Sequence, residues 1–201
     1  MTFRYFLTAL ILLVGATAVF AQTDSGGRPA GPSREFEYKL LATSRTTTME
    51  KEMNEAAAAG YRFEDVISGD TFFGGSEALV VMSRRIAGDH TQHYQYQLLA
   101  TSKTSTMQKE LQTAGDRGFQ HRGQTIFKKT FGTEVMAILE RDLQAETVLW
   151  DYKLLATKKT STMQKEMLEA AADGYQFVGF TTGGTFFGGN EVVTIMRRPR
   201  H

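Results

Sequence analysis

The chain has no cysteine. That excludes disulfides, thiolate metal sites, a cysteine nucleophile and a lipid-modified N-terminal cysteine. Stability must therefore come from packing. Charge of one sign is also lacking: 23 Lys and Arg stand against 22 Asp and Glu, a formal +1. A general nucleic-acid binder needs a basic surplus to displace counterions, so the balance argues against that class. Histidines are few, and His90, His93, His121 and His201 share no common position in the pattern described below. His90 and His93 are three apart but lie in a polar stretch with no helical stripe, so no metal site is expected.

Long hydrophobic runs are missing except at the start. Residues 1–21 carry Arg4, a mostly apolar Tyr5 to Val14, and Val19-Phe20-Ala21 with small residues before a cut at Gln22. This is the pattern of a signal peptide, its Tyr5–Val14 core too short to span a bilayer; the alternative is an uncleaved anchor running through Phe20, which Gly15, Ala16 and Thr17 dilute. Removal of the signal peptide takes away one base and no acid, leaving a formally neutral, exported chain, periplasmic or secreted, with no membrane span. Residues 22–35 hold Gly26, Gly27, Pro29, Gly31 and Pro32 among polar side chains, which predicts a flexible linker.

What the sequence does have is repetition. Tyr38-Lys-Leu-Leu-Ala-Thr, Tyr96-Gln-Leu-Leu-Ala-Thr and Tyr152-Lys-Leu-Leu-Ala-Thr open three copies, over residues 36–85, 94–142 and 150–199. Periods of this length signal tandem structural units. Each copy reads β-α-β-β. Phe36, Tyr38, Leu40 and Ala42 alternate with Glu37, Lys39, Leu41 and Thr43, the period of two that a strand requires. Thr47-Thr-Met-Glu50, Ser105-Thr-Met-Gln108 and Ser161-Thr-Met-Gln164 fit a capping box at a helix start. Met49, Met53, Ala56 and Ala57 form an apolar stripe. Gly60, Gly118 and Gly174 follow, where a helix ends in a left-handed residue. A second strand, a Gly-rich turn and an apolar third strand complete the unit.

The connections dictate an antiparallel sheet of order 1-3-2 with one covering helix. Val80 and Met82 lie on one side of the third strand, Leu79 and Val81 on the other. One helix covers one side only, and a unit of this size buries too little surface alone. The expected fold is therefore α+β: three tandem βαββ repeats packed into one structure.

The Tyr-Lys-Leu-Leu opening, the helix ending in Gly60-Tyr61 and the closing strand ending at Arg84, Arg141 and Arg198 resemble the DUF4177 family of small βαββ domains of unknown function. Met53-Asn54 stands where that family has Leu-Asn. The resemblance implies the βαββ fold and supplies no catalytic residues.

Two groups of residues could serve a function. Arg45, Thr46 and Thr48, with Lys103, Thr104 and Thr106 and Lys159, Thr160 and Thr162, combine a cation, hydroxyls and free backbone N–H groups at helix starts, which can hold anions. The same hydroxyls could instead satisfy the loop. Phe72, Phe73, Phe186 and Phe187 lie in Gly-rich hairpins and could present an apolar patch to a partner, or anchor the hairpins. The shared charges Glu77/Glu134/Glu191 and Arg84/Arg141/Arg198 are expected as solvated strand ends or as pairs between units. No catalytic residue, metal or cofactor is indicated. The leading expectation is an exported non-enzymatic binding or assembly module for a protein, small anionic or glycan ligand. The second is a ligand-binding protein, hydrolytic if an enzyme, with sites at the Thr-rich helix starts between repeats.

Overall fold

The computed structural model describes residues 35–70, 76–88, 90–128, 133–183 and 191–200. The expected signal segment and most of the linker lie outside them, as do Phe72, Phe73, Phe186 and Phe187. Repeat 1 comprises β1 (Phe36–Thr43), α1 (Thr46–Ala58), β2 (Arg62–Asp70) and β3 (Ser76–Arg85). Repeat 2 comprises β4 (Tyr94–Thr101), α2 (Thr104–Gly115), β5 (Gln120–Lys128) and β6 (Thr133–Asp142). Repeat 3 comprises β7 (Trp150–Thr157), α3 (Thr160–Ala172), β8 (Gln176–Gly183) and β9 (Glu191–Pro199). The sheets are antiparallel, with orders β1-β3-β2, β4-β6-β5 and β7-β9-β8, as the connections require.

The helix ends follow from local chemistry, with one correction. Gly60, Gly118 and Gly174 have φ of 83°, 81° and 85°, the left-handed value that glycine adopts without a Cβ penalty. The starts differ from the capping-box expectation. The cap positions are Arg45, Lys103 and Lys159, and none of the three helices has a side-chain cap bond. Arg45 already accepts the first helical bond, from the Met49 N–H. That places the expected cap hydroxyls inside the helix. The hydroxyl that serves the loop comes earlier: Thr43, Thr101 and Thr157 accept from the N–H of Arg45, Lys103 and Lys159 at 3.2, 3.2 and 3.3 Å.

The shared arginines are structural pins rather than loose strand ends. Arg84, Arg141 and Arg198 donate to the carbonyls of Ala59, Arg117 and Asp173, where each helix runs out. They lie 4.6, 5.0 and 4.6 Å from the rings of Tyr61, Phe119 and Tyr175. They also bond to Glu37, Gln95 and Asp151 on each opening strand. One guanidinium thus ties helix end, aromatic and first strand together.

Residues 34–201 form one compact unit. The repeats stack in series. One core joins Met49, Met53, Phe63, Val80 and Met82 of repeat 1 to Tyr96, Leu98, Met136 and Ile138 of repeat 2. The next joins Leu111, Ala114, Phe119, Ala137 and Leu139 of repeat 2 to Tyr152 and Ile195 of repeat 3. In β6 every residue from Val135 to Leu139 is buried, so the middle sheet is covered on both sides as expected. Helix α1 lies against β4, α2 against β7, β5 against β2 and β8 against β5.

Candidate functional site

The two junctions between repeats share one chemistry. Glu50 accepts from the Leu98 N–H at 2.8 Å. Asn54 accepts from the Tyr96 N–H at 3.0 Å and donates to the Tyr96 carbonyl at 2.9 Å. At the second junction Gln108 accepts from the Leu154 N–H at 2.7 Å and donates to the Tyr152 carbonyl at 2.8 Å. Gln112 accepts from the Tyr152 N–H at 3.0 Å and donates to the Trp150 carbonyl at 3.2 Å. Helix side chains thus occupy the open edge of the following repeat's first strand, where unpaired backbone would otherwise invite other strands. Glu50 and Gln108, the expected capping residues, are instead claimed by tertiary packing.

The opening tyrosine of the following repeat is the plug. The Tyr96 hydroxyl accepts from the Phe63 N–H at 2.8 Å and donates to Glu140 Oε2 at 2.9 Å. The Tyr152 hydroxyl accepts from the His121 N–H at 2.7 Å and donates to the Phe119 carbonyl at 3.1 Å. Both accepted N–H groups sit at β-bulges, between Phe63 and Asp65 and between His121 and Gly123. A bulge frees a donor from the ladder. Close approach requires glycine: a Cβ on Gly123 would lie 2.8 Å from Phe63 Cζ, and one on Gly179 3.0 Å from His121 Cε1.

The buried charge at the first junction is accounted for in the same way. Glu140 is fully buried, 2.9 Å from Arg62 Nη2 and 3.6 Å from Arg122 Nε. Arg62 also stacks over Tyr94 at 4.3 Å. Burial, reinforced by the Glu140 charge, pushes the Tyr96 phenol well above its usual pKa. At the equivalent place in repeat 3 stands Arg197, which donates to the His121 carbonyl at 3.1 Å and lies 4.5 Å from Trp150. An enzyme reading requires a buried cluster of this kind opening on a deep pocket. Neither of the two cavities described next is lined by Glu140, Arg62 or Tyr96. The cluster locks two repeats together.

Both ends of the stack leave this chemistry without a partner from within the described chain. At one end, Tyr38 and Leu40 are 67% and 64% exposed, against 2% and 7% for Tyr96 and Leu98. Ile67 is exposed beside them, paired across the ladder with half-buried Leu79. At the other end, α3 and its sheet enclose a cleft of about 430 Å³, lined almost wholly by apolar side chains, including Met163, Met167, Leu168, Phe177 and Met196. Leu168 and Phe180 are 65% and 60% exposed. A second, polar cavity of about 410 Å³ lies around Asp151, Asp173, Gly174, Arg198 and Arg200. The corresponding ground in the first two repeats is covered by the chain entering the next one. A Cβ on Gly60 would meet His90 Cα at 2.8 Å and one on Gly118 would meet Thr147 Cγ2 at 2.6 Å, whereas one on Gly174 meets nothing within 4 Å.

Of the helix-start residues singled out in the sequence, Thr160 alone borders one of these two cavities. Arg45, Lys103 and Lys159 are exposed, each at the head of its own helix. None of the three lines either cavity. Thr46, Thr48, Thr104, Thr106 and Thr162 are half-buried; Thr160 is exposed and lines the rim of the apolar cleft. Among the described residues no group of three His, Cys, Asp or Glu could hold a metal ion, and no helix is long and apolar enough to cross a membrane. His90 and His93 bond locally, to the Arg85 carbonyl and to Thr91.

No family model, curated protein or solved structure matches the chain.

Proposed function

We propose that the chain is an exported, non-enzymatic docking module whose units are kin to the DUF4177 domains, and that it works through the two ends of its repeat stack. The observation that supports this reading is the contrast between equivalent residues. Tyr96 and Leu98 are buried by the preceding repeat, while Tyr38 and Leu40 keep the same side chains and lie open. Terminal repeats that only face water carry polar outer surfaces. Here the outer faces hold Tyr38, Leu40 and Ile67 at one end and Leu168, Phe177 and Phe180 at the other, all exposed. Apolar surface left in water is unfavourable by ~25 cal/mol per Å², and such patches mark interaction sites.

Photo-crosslinking tests this reading in cells that export the chain. A photoreactive residue at Leu168 or Leu40 is expected to give protein adducts. The same residue at Lys51, on an exposed helix position where the lysine pairs with Glu55, is expected to give none. Equal yields at all three positions would overturn the proposal. The exported chain is expected to begin at Gln22 by mass spectrometry.

A further inference from the structure

We infer that the protein the end faces bind is a second copy of this chain, joined head to tail: the outer face of repeat 1 enters the open cleft of repeat 3. The inference rests on the docking reading above and names its partner.

The internal junctions supply the template. In both, an opening tyrosine and the leucine two residues on pack against the preceding helix and sheet. The projecting half survives at β1 as Tyr38 and Leu40, both open to solvent. The receiving half survives at repeat 3 as the apolar cleft beside α3. The third bulge, between Phe177 and Gly179, matches the two that present an N–H to a tyrosine hydroxyl. In the joined pair Tyr38 would take the Phe177 N–H and Gln164 would reach the β1 edge, as Gln108 reaches β7. The two halves differ from each other, so the contact is heterologous. It closes into a ring or grows as an open chain, and does not stop at a two-fold dimer unless the ring does.

Two departures set its strength. Leu168 occupies the position of Asn54 and Gln112, so two main-chain hydrogen bonds of the internal junctions are lost. Asp65 occupies the position of Gly123 and Gly179, where a Cβ already crowds the facing ring. Both changes hold the second copy further off than a covalently tethered neighbour. The tether itself gives the internal repeats a local concentration of about millimolar. The joint between copies is therefore the weaker, concentration-dependent one, while the internal stack is permanent. A heterologous joint at full internal strength would commit the chain to fibres.

The test is sedimentation velocity on the purified exported chain across a range of concentrations. The expected result is mass that rises with concentration. Leu40→Asp and Phe177→Asp alter exposed side chains, one on each half of the joint, and circular dichroism checks that each stays folded. Each variant alone is expected to be monomeric, and an equal mixture of the two to form a one-to-one pair through the intact half of each. Restoring the internal chemistry with Asp65→Gly and Leu168→Gln together is expected to tighten association by about tenfold or more, the equivalent of ~1.4 kcal/mol. Three results overturn the inference: a monomer at every concentration even in the restored variant, a dimer lost in Phe177→Asp but kept in Leu40→Asp, or adducts at Leu168 that contain only other proteins. The last leaves the docking reading standing, whereas absence of any adduct removes both.

Discussion

Single residues decide how this fold responds to pH. His121 is buried at the second junction, bonded to Gln124 at 3.0 Å, with its backbone N–H on the Tyr152 hydroxyl. Burial pushes its pKa down to about 4; the Gln124 bond opposes this, and the Arg197 and Arg122 charges add to it. The folded chain holds the imidazole neutral, while the unfolded chain protonates it near its ordinary value of about 6.5. The unfolded state therefore binds the proton first as pH falls. Stability is complete above about pH 6.5 and declines toward pH 4, with a slope reaching about 1.4 kcal/mol per pH unit. Urea unfolding of the wild type and of His121→Leu across that window checks this, since only the wild type should show the added slope. Nothing in the sequence marks this histidine: it stands alone in its repeat, and its burial comes from the next one. The same holds for Glu140, which reads as a surface charge until Arg62, Arg122 and Tyr96 close around it.

At the scale of the element, the helices belong to two repeats at once. The apolar stripe of α1 is legible from spacing alone: Met49, Met53, Ala56 and Ala57 are all buried. The second face is not legible, because Glu50 and Gln108 fit a local capping box and nothing in the spacing of Asn54 and Gln112 points to another repeat. Their partners are main-chain groups more than thirty residues away. Gly115 shows how far this double duty overrides local preference. Glycine to alanine in a helix normally stabilises by about 1 kcal/mol. At Gly115 the new Cβ would collide with the Trp150 carbonyl oxygen and lie 3.0 Å from the Tyr152 ring. Gly115→Ala is expected to destabilise by about 1–3 kcal/mol through overpacking, read from the shift in urea midpoint. A gain in stability would show that α2 and β7 are not held in contact. The capping-box expectation failed for a related reason: a hydroxyl followed by Glu or Gln three residues later signals a cap only if nothing else takes the Glu or Gln.

At the largest scale, the three repeats form a short solenoid-like stack, with stability set by neighbours. Its middle sheet is enclosed on both sides and its two ends are not. Helix α3 buries only Met163 and Ala170, against four residues each for α1 and α2. In dilute solution, hydrogen exchange is therefore expected to be slowest in β6 and markedly faster in α3 than in α2. Local opening follows the apolar contacts that hold a segment down. Comparable protection of α2 and α3 would mean that repeat 3 gains stability from something other than its neighbour. The same asymmetry leaves Tyr38, Leu40, Leu168 and Phe180 exposed at the two ends.

The amino-acid order alone determined the three βαββ units, the 1-3-2 sheets, the helix stripes and the left-handed glycines. Each follows from spacing, connection length or the conformational freedom of one residue, all properties of a short stretch of chain. Tertiary structure decided which helix face meets the next repeat, which tyrosines are plugs, and that exposed apolar side chains gather at the ends of the stack. Those outcomes depend on what stands opposite a side chain, and three near-identical copies place the same tyrosine and leucine in a core at Tyr96 and Leu98 and in solvent at Tyr38 and Leu40.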